Sequence, residues 1–540
     1  MAKRRRSTTR YSIMALLAII GLLLFYIVLL KSEGFLNKGE LITSATKTSS
    51  VEGHTEKQAF LLSKDAPFLE VPKHPPSKNI EELRERIDDI LKHKNLSGAV
   101  TGVSVRNEED EILYNHHADV RLVPASNMKI ITTVAALEVL GPDYQFQTEI
   151  KIDGEIKKGV LHGDLYLVGK GDPTLQIEDL DQLAEAVKDH GIKEIKGNIY
   201  ADDSWYDDVR YSKDLSWRHE YNYVGNAISA LNVSANDDFL QGAVIVDVYP
   251  GKKAGEKPEV IITPETDYIK IVNKGNTTEA GSPLTLTDER EHGSNELHIE
   301  GDIPLDSDHY QRWRAVWEPT DYSLHLFIES LKNHQIKFSK EDALVQAAPG
   351  SLETIVSKKS PALREIIMPF MKLSNNGLGE VLLKEMGKQE QDDGSWDSGI
   401  QVIQRTLISL GLNTGDTLLR DGSGMSERNL VSANFFTELL LAVQDQPWFS
   451  YFEKSFSLSG SQDPDIGGTL AYRLFDEDTK GKVMAKTGTL NKVSSLSGYV
   501  TTKDDQRLSF SILMNNYIRE PVTQIQDEIV SVLAEMELNK

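Results

Sequence analysis

The chain has 540 residues, 59 Lys and Arg against 82 Asp and Glu, and no cysteine. A net charge of −23 excludes a general nucleic-acid binder, which neutralises phosphates with basic surface. The missing cysteine excludes a disulfide framework, a zinc knuckle, a thiol nucleophile and a lipidated cysteine. The proportions of 39% hydrophobic and 26% charged residues are those of a folded chain, and length alone suggests three or four domain-sized units.

The charge is unevenly placed. Residues 1–31 carry Lys3, Arg4, Arg5, Arg6, Arg10 and Lys31 and no acid, a net +6 that leaves −29 on the remainder. Residues 1–11 read as a basic cytoplasmic segment. Ser12 to Leu30 is a run of 19 uncharged residues, which as a helix spans roughly 28 Å, close to a bilayer core. The preceding arginines hold the N-terminus inside, so the rest of the chain is expected to be exported as a signal-anchored protein. A cleaved signal peptide is the rival; the apolar run is long for one, and Leu29-Leu30-Lys31-Ser32 is a poor cleavage site. Export agrees with the missing thiols.

Residues 31–77 are polar and end in Pro72, Pro75 and Pro76, a linker off the membrane. Ile80–Lys94 has helical spacing, with Ile80, Leu83, Ile87 and Leu91 on one face. Gly98–Tyr114 alternates as two strands. Met128–Leu140 predicts a helix stopped by Gly141-Pro142. From 146 to 354 short alternating stretches recur between Gly, Pro, Asn and Asp, predicting a β-rich insertion with one clear helix, Asp179–His190. Helices resume at Pro361–Lys372, Leu378–Met386, Ile400–Leu410 and Ala433–Val443. Three strands (GKVMAKTGT, SSLSGYVTT, RLSFSILMN) and a helix from Val522 to Leu538 close the chain. A mixed α/β domain formed by 78–145 and 355–540 is thus split by the insertion 146–354.

The chemistry begins with what is missing. There is no Gly-x-Ser-x-Gly elbow and no His-Glu-x-x-His among the 13 histidines, so a Ser-His-Asp hydrolase or zinc peptidase has little support. Ser-x-x-Lys remains. Ser126-Asn127-Met128-Lys129 opens a helix, and a spacing of three puts hydroxyl and amine on one face. A lysine is a usable base only if burial or a neighbouring cation lowers its pKa. Alone the pattern is weak: Ser44-Ala45-Thr46-Lys47 also fits, and an ordinary helix cap would look the same. Lys486-Thr487-Gly488-Thr489 lies in a strand pattern that alternates Lys486 and Gly488 with Thr487 and Thr489; glycine lets a ligand approach the backbone. Ser374-Asn375-Asn376 opens another helix; Ser234-Ala235-Asn236 and Ser432-Ala433-Asn434 share its spacing.

Ser-x-x-Lys, Ser-x-Asn and Lys-Thr-Gly in this order resemble the signatures of penicillin-recognising serine acyl-enzymes. The separation of 248 positions from Ser126 to Ser374 makes the chain similar to the low-molecular-mass class C penicillin-binding proteins, the S13 family of D-alanyl-D-alanine carboxypeptidases. PASNMKIIT (124–132), GDLYLVGKGDPTL (163–175), SALNV (229–233), SNNGLGE (374–380), RDGSGMSERNLVS (420–432) and VMAKTGTL (483–490) extend the resemblance over about 78–540. It implies a β-lactamase-like transpeptidase fold and selects Ser374 over the other Ser-x-Asn matches.

It further implies Ser126 as nucleophile, Lys129 as its base, Ser374 as proton relay and Asn376 as a substrate-amide ligand. Lys486 would keep Lys129 neutral and attract the substrate carboxylate, which Thr487 and Thr489 would hydrogen-bond. The N–H groups of Ser126 and Thr489 would form an oxyanion hole. The implied substrate is a peptidoglycan stem peptide, the implied inhibitors are β-lactams, and no metal or organic cofactor is implied. Two departures stand out. Family members commonly have aspartate where this chain has Asn375, and after Asp-Gly-Ser-Gly they often show Ser-Arg, whereas here Glu427 precedes Arg428; which of these two meets the distal end of the substrate stays open. A β-lactamase or esterase on the same fold and a non-catalytic wall-binding scaffold are the rival readings. The insertion either shapes the cleft and keeps glycan strands in register or serves structure alone.

Overall fold

The strands Val493–Thr501 and Arg507–Asn515 are buried along almost their whole length, as strands covered on both faces must be. In the computed structural model, which describes residues 78–338 and 344–538, they lie near the centre of a six-stranded antiparallel sheet. Its order is Ser457–Leu458, Val483–Leu490, Val493–Thr501, Arg507–Asn515, Val100–Arg106, Ile112–His116. The first strands of the described chain therefore pair with the last, in a register that sets Val105 opposite Phe510.

Side-chain alternation divides this sheet between two apolar layers. Val103, Val105, Phe510 and Ile512 pack with Leu83 and Ile87 of the helix Lys78–Leu91 and with Ile525, Ile529 and Leu533 of the helix Thr523–Glu535. On the other face Leu513 and Tyr499 join a larger core. It takes in the helices Met128–Val139, Leu363–Lys372, Asn376–Gln391, Trp396–Ser409 and Ala433–Ala442. The predicted helices are present with ends shifted by a few residues, where cap geometry and not periodicity decides the boundary.

Residues 146–354 hold a third apolar cluster of their own. Its frame is a seven-stranded sheet that includes the long hairpin Gln147–Lys157 and Val160–Lys170. The chain leaves and re-enters side by side: Glu353–Lys359 pairs antiparallel with Gln147–Lys157, and Ser360 N donates to Phe146 O at 3.0 Å. That strand runs across the boundary expected at 354. Two α-helices lie among the described residues of this region, Ile177–Asp189 and Pro319–Asn333; the second was not anticipated, although Pro319 at its start and Leu324, Phe327, Ile328 and Leu331 have helical spacing. The short helix Phe449–Ser455 was also missed.

The described residues form one compact unit. No helix among them is long and apolar enough to cross a membrane. The expected span 12–30, the linker and the Ser44–Lys47 match lie outside the described residues.

Candidate active site

Ser126 sits in a single 3₁₀ turn, Ala125–Asn127, that runs into the helix Met128–Val139. The turn is fixed to the sheet from three sides. Asn515 Oδ1 accepts from Val123 N (2.8 Å), Ser495 Oγ donates to Pro124 O (2.7 Å), and the Asn127 amide spans Ser497 Oγ (2.6 Å) and Lys486 O (2.9 Å). Ala125 adopts the left-handed region at φ 48°, a strained conformation for a residue with a Cβ and one that gathers at functional sites. The surrounding bonds hold it there.

Lys129 is fully buried one turn along. Its Nζ lies 3.0 Å from Ser126 Oγ, 2.7 Å from Asn376 Oδ1 and 2.7 Å from Ser423 O. Two of these partners can only accept. A neutral amine has two N–H groups and one lone pair, so donating to Asn376 and Ser423 leaves the lone pair facing the Ser126 hydroxyl. Burial brings the Lys129 amine down to about 7, against the opposing pull of Asp421 and Glu380. At neutral pH it can therefore take a proton.

A second serine–lysine pair faces the first. Lys486, also fully buried, donates to Ser374 Oγ (2.9 Å) and Thr487 O (2.7 Å). Burial, and after it the cation of Lys129, hold its amine well below the ordinary lysine value. Ser374 is left-handed at φ 60°. The strand alternates as expected: Lys486 and Gly488 point inward, while Thr487 is half-buried and Thr489 exposed. A Cβ on Gly488 would stand 2.8 Å from Ser126 N and 2.9 Å from Pro124 O. Glycine is what lets this strand lie against the serine turn.

Beneath the pairs, Glu380 accepts from Ser423 N (3.0 Å), Gly422 N (3.1 Å) and Trp396 Nε1 (2.7 Å). Asp421 accepts from Gly424 N (2.9 Å), Ser426 N (2.5 Å) and Asn429 Nδ2 (2.7 Å). Burial raises both carboxyls. Together they fold the Asp421–Gly424 loop so that the Ser423 carbonyl meets Lys129. Sequence reasoning gave Glu380, Asp421 and Ser423 no role, though a carboxylate in the apolar run Leu378–Leu383 was a visible signal.

These groups open on a cleft of about 1060 Å³ lined by Ser126, Ser374, Asn376, Thr487, Gly488 and Thr489. Lys213, Asp214, His219, Tyr223 and Val224 of the insertion form part of its wall. Glu427 and Arg428 both line it; Arg428 and Arg420 reach Asp214 at 3.4 and 2.8 Å. The other Ser-x-Asn matches are spent elsewhere: Ser234 donates to Pro173 O, and Ser432 caps the helix Ala433–Ala442. Among the described residues, the group able to share a cation is Glu291, Glu296 and His298, outside this cleft, with Glu296 already paired to Lys270 at 2.6 Å.

Residues 83–536 match the model of the D-Ala-D-Ala carboxypeptidase 3 (S13) family. A D-alanyl-D-alanine carboxypeptidase of Actinomadura sp. (strain R39) is 39% identical over 460 residues, covering 84% of this chain and 85% of that protein. The crystal structure of penicillin-binding protein 4 (DacB) from Haemophilus influenzae superposes with a TM-score of 0.72 at 22% identity, over 82% of this chain and 97% of that one. The same protein complexed with a β-lactam gives a TM-score of 0.67 at 23% identity, over 82% and 98%. The fold is theirs, and with a family model matched across most of its length this chain belongs to the D-Ala-D-Ala carboxypeptidase 3 (S13) family.

Proposed function

We propose that this chain is a serine-type D-Ala-D-Ala carboxypeptidase that trims peptidoglycan stem peptides through an acyl-enzyme on Ser126. The observation that carries the reading is the Lys129 amine, 3.0 Å from Ser126 Oγ with its other partners restricted to acceptors.

Neutral Lys129 takes the Ser126 proton as Oγ attacks the carbonyl of the penultimate D-alanine. The oxyanion is held by the N–H groups of Ser126 and Thr489. The tetrahedral intermediate collapses, the peptide C–N bond breaks, and the proton that Lys129 took from Ser126 passes through Ser374 to the departing amine of the terminal D-alanine, which leaves Lys129 neutral and Ser374 with its hydroxyl. Water then attacks the ester with Lys129 again as base, releasing the shortened peptide and restoring the hydroxyl. Lys486, Thr487 and Thr489 receive the terminal carboxylate, and Asn376 the substrate amide. The same steps on a D-Ala–diaminopimelate crosslink are DD-endopeptidase action. A β-lactam acylates Ser126 in the same way, and its ester is hydrolysed slowly. Residues 12–30 anchor the chain in the membrane, with 31–77 as linker and the acidic body on the cell-wall side; the basic N-terminus and the uncharged run support this placement.

Incubating the full chain in detergent with defined muropeptides, and identifying products by mass, tests the reading. Pentapeptide stems are expected to yield tetrapeptide and free D-alanine. Rapid β-lactam turnover with no D-alanine release would instead make the chain a β-lactamase.

Gly488→Ala is expected to lower acylation by a penicillin about 10²–10³-fold, the range for losing one oxyanion donor. The added methyl would meet the Ser495 hydroxyl, which anchors Pro124 O, and backbone atoms of Ser126 and Pro124, all below 3 Å, so the strand carrying the Thr489 N–H must shift from the serine turn. Stopped-flow acylation at wild-type rate would show that the close approach is dispensable.

A further inference from the structure

Asn375 lies between two residues of the site and is itself buried. Its Oδ1 accepts from Leu378 N at 3.1 Å, capping the helix Asn376–Gln391. Its Nδ2 donates to Asp238 O and Phe239 O, both at 2.9 Å, in the insertion. The next residue repeats the pattern: Asn376 Nδ2 donates to Val224 O at 2.8 Å, also in the insertion, while Asn376 Oδ1 accepts from Lys129. Packing here is close enough that a Cβ on Gly377 would meet Asn226 and Gln241 of the insertion at 3.0 Å.

These contacts fix which way the Asn376 amide points. With its NH₂ held by the Val224 carbonyl, its oxygen faces Lys129. Turned over, it would offer N–H groups to the amine, and the lone pair of Lys129 would accept from Asn376 in competition with Ser126. We propose that Asn375 is a positioning residue that docks the insertion on the Ser374–Asn376 turn, so that insertion carbonyls hold Asn376 with its oxygen on Lys129. The inserted region is on this account a working part of the acylation site. The inference rests on the reading of Lys129 as base.

Asn375→Ser and Asn375→Thr isolate the contact. Each keeps a capping hydroxyl for Leu378 N and loses both donors to Asp238 O and Phe239 O without adding charge. The groups that act on the Lys129 proton are Asp421 and Glu380 and its partners Ser126, Asn376 and Ser423, and Lys486 faces it as the amine that Lys129 in turn depresses; both variants leave all of them in the chain.

Each variant is expected to be folded by circular dichroism. Each should be acylated by a fluorescent penicillin about ten- to hundredfold more slowly, the scale of a misplaced catalytic group. The pH midpoint of acylation should also move to lower pH, because losing the Asn376 oxygen removes an acceptor that favours the ammonium form. Wild-type rates in both variants overturn the inference. So does a slower rate with an unmoved midpoint, which would put the defect elsewhere than at Lys129. Labelling that survives Ser126→Ala would overturn the reading beneath it instead.

Discussion

Ser126→Ala is expected to abolish covalent labelling by a fluorescent penicillin while the fold is retained. The hydroxyl is the only atom removed, and the turn that carries it is held by bonds from Ser495, Asn515 and Asn127 that do not involve Oγ. The test is sharper than usual because the site holds a second candidate: Ser374 is also a serine beside a buried lysine, and its own backbone is left-handed. Two features favour Ser126. Its backbone N–H lies where the Gly488 strand comes closest, as an oxyanion site requires. The lone pair of Lys129 is also aimed at it by two obligate acceptors, whereas Lys486 donates, besides Ser374, to one such acceptor, Thr487 O. Labelled protein recovered from Ser126→Ala, with the adduct mapped to Ser374 by mass spectrometry, would reverse the assignment.

Replacing the base has the next largest effect. Lys129→Met keeps much of the volume and removes the amine; acylation is expected to fall roughly 10²–10⁴-fold, the range for general-base catalysis. The same amine predicts the pH dependence of the wild-type enzyme. A depressed lysine accepts a proton only in its neutral form, which is populated above the midpoint of about 7. Acylation should therefore rise with pH, level off above about 8, and fall roughly tenfold per unit on the acid side. Stopped-flow acylation between pH 5 and 9 reads this directly. A flat profile, or a Lys129→Met variant acylated at near wild-type rate, would remove Lys129 from the base role.

Much of this site is legible in the amino-acid sequence. Spacing alone puts Ser126 and Lys129 on one helical face and alternates Lys486 and Gly488 with the threonines, because helix and strand periods are local properties of the backbone. What spacing does not supply is selection. Spacing does not separate Ser374 from the Ser-x-Asn matches at Ser234 and Ser432; of these only Ser374 lies beside Lys486, and the other two bond Pro173 O or cap a helix. Glu380 and Asp421 escape a sequence reading for the same reason: a buried carboxylate declares its role through the N–H groups that reach it from elsewhere in the chain.

The insertion shows the division most clearly. Alternation and turn residues in 146–354 predict strands, and strands are there, yet nothing local indicates that Val224, Asp238 and Phe239 meet the Asn375–Asn376 turn far downstream. By itself the sequence determined the ordered motifs, the strand-rich texture of 146–354 and the acidic composition behind a basic, apolar N-terminus. All of these follow from composition and short-range periodicity. Tertiary structure alone decided that two lysines are dry enough for their amines to fall well below the ordinary lysine value, that Lys129 Nζ lies between two obligate acceptors and the Ser126 hydroxyl, and that the insertion borders the cleft. Each depends on desolvation and hydrogen bonding between segments far apart in the chain, and burial is a property that no single segment carries.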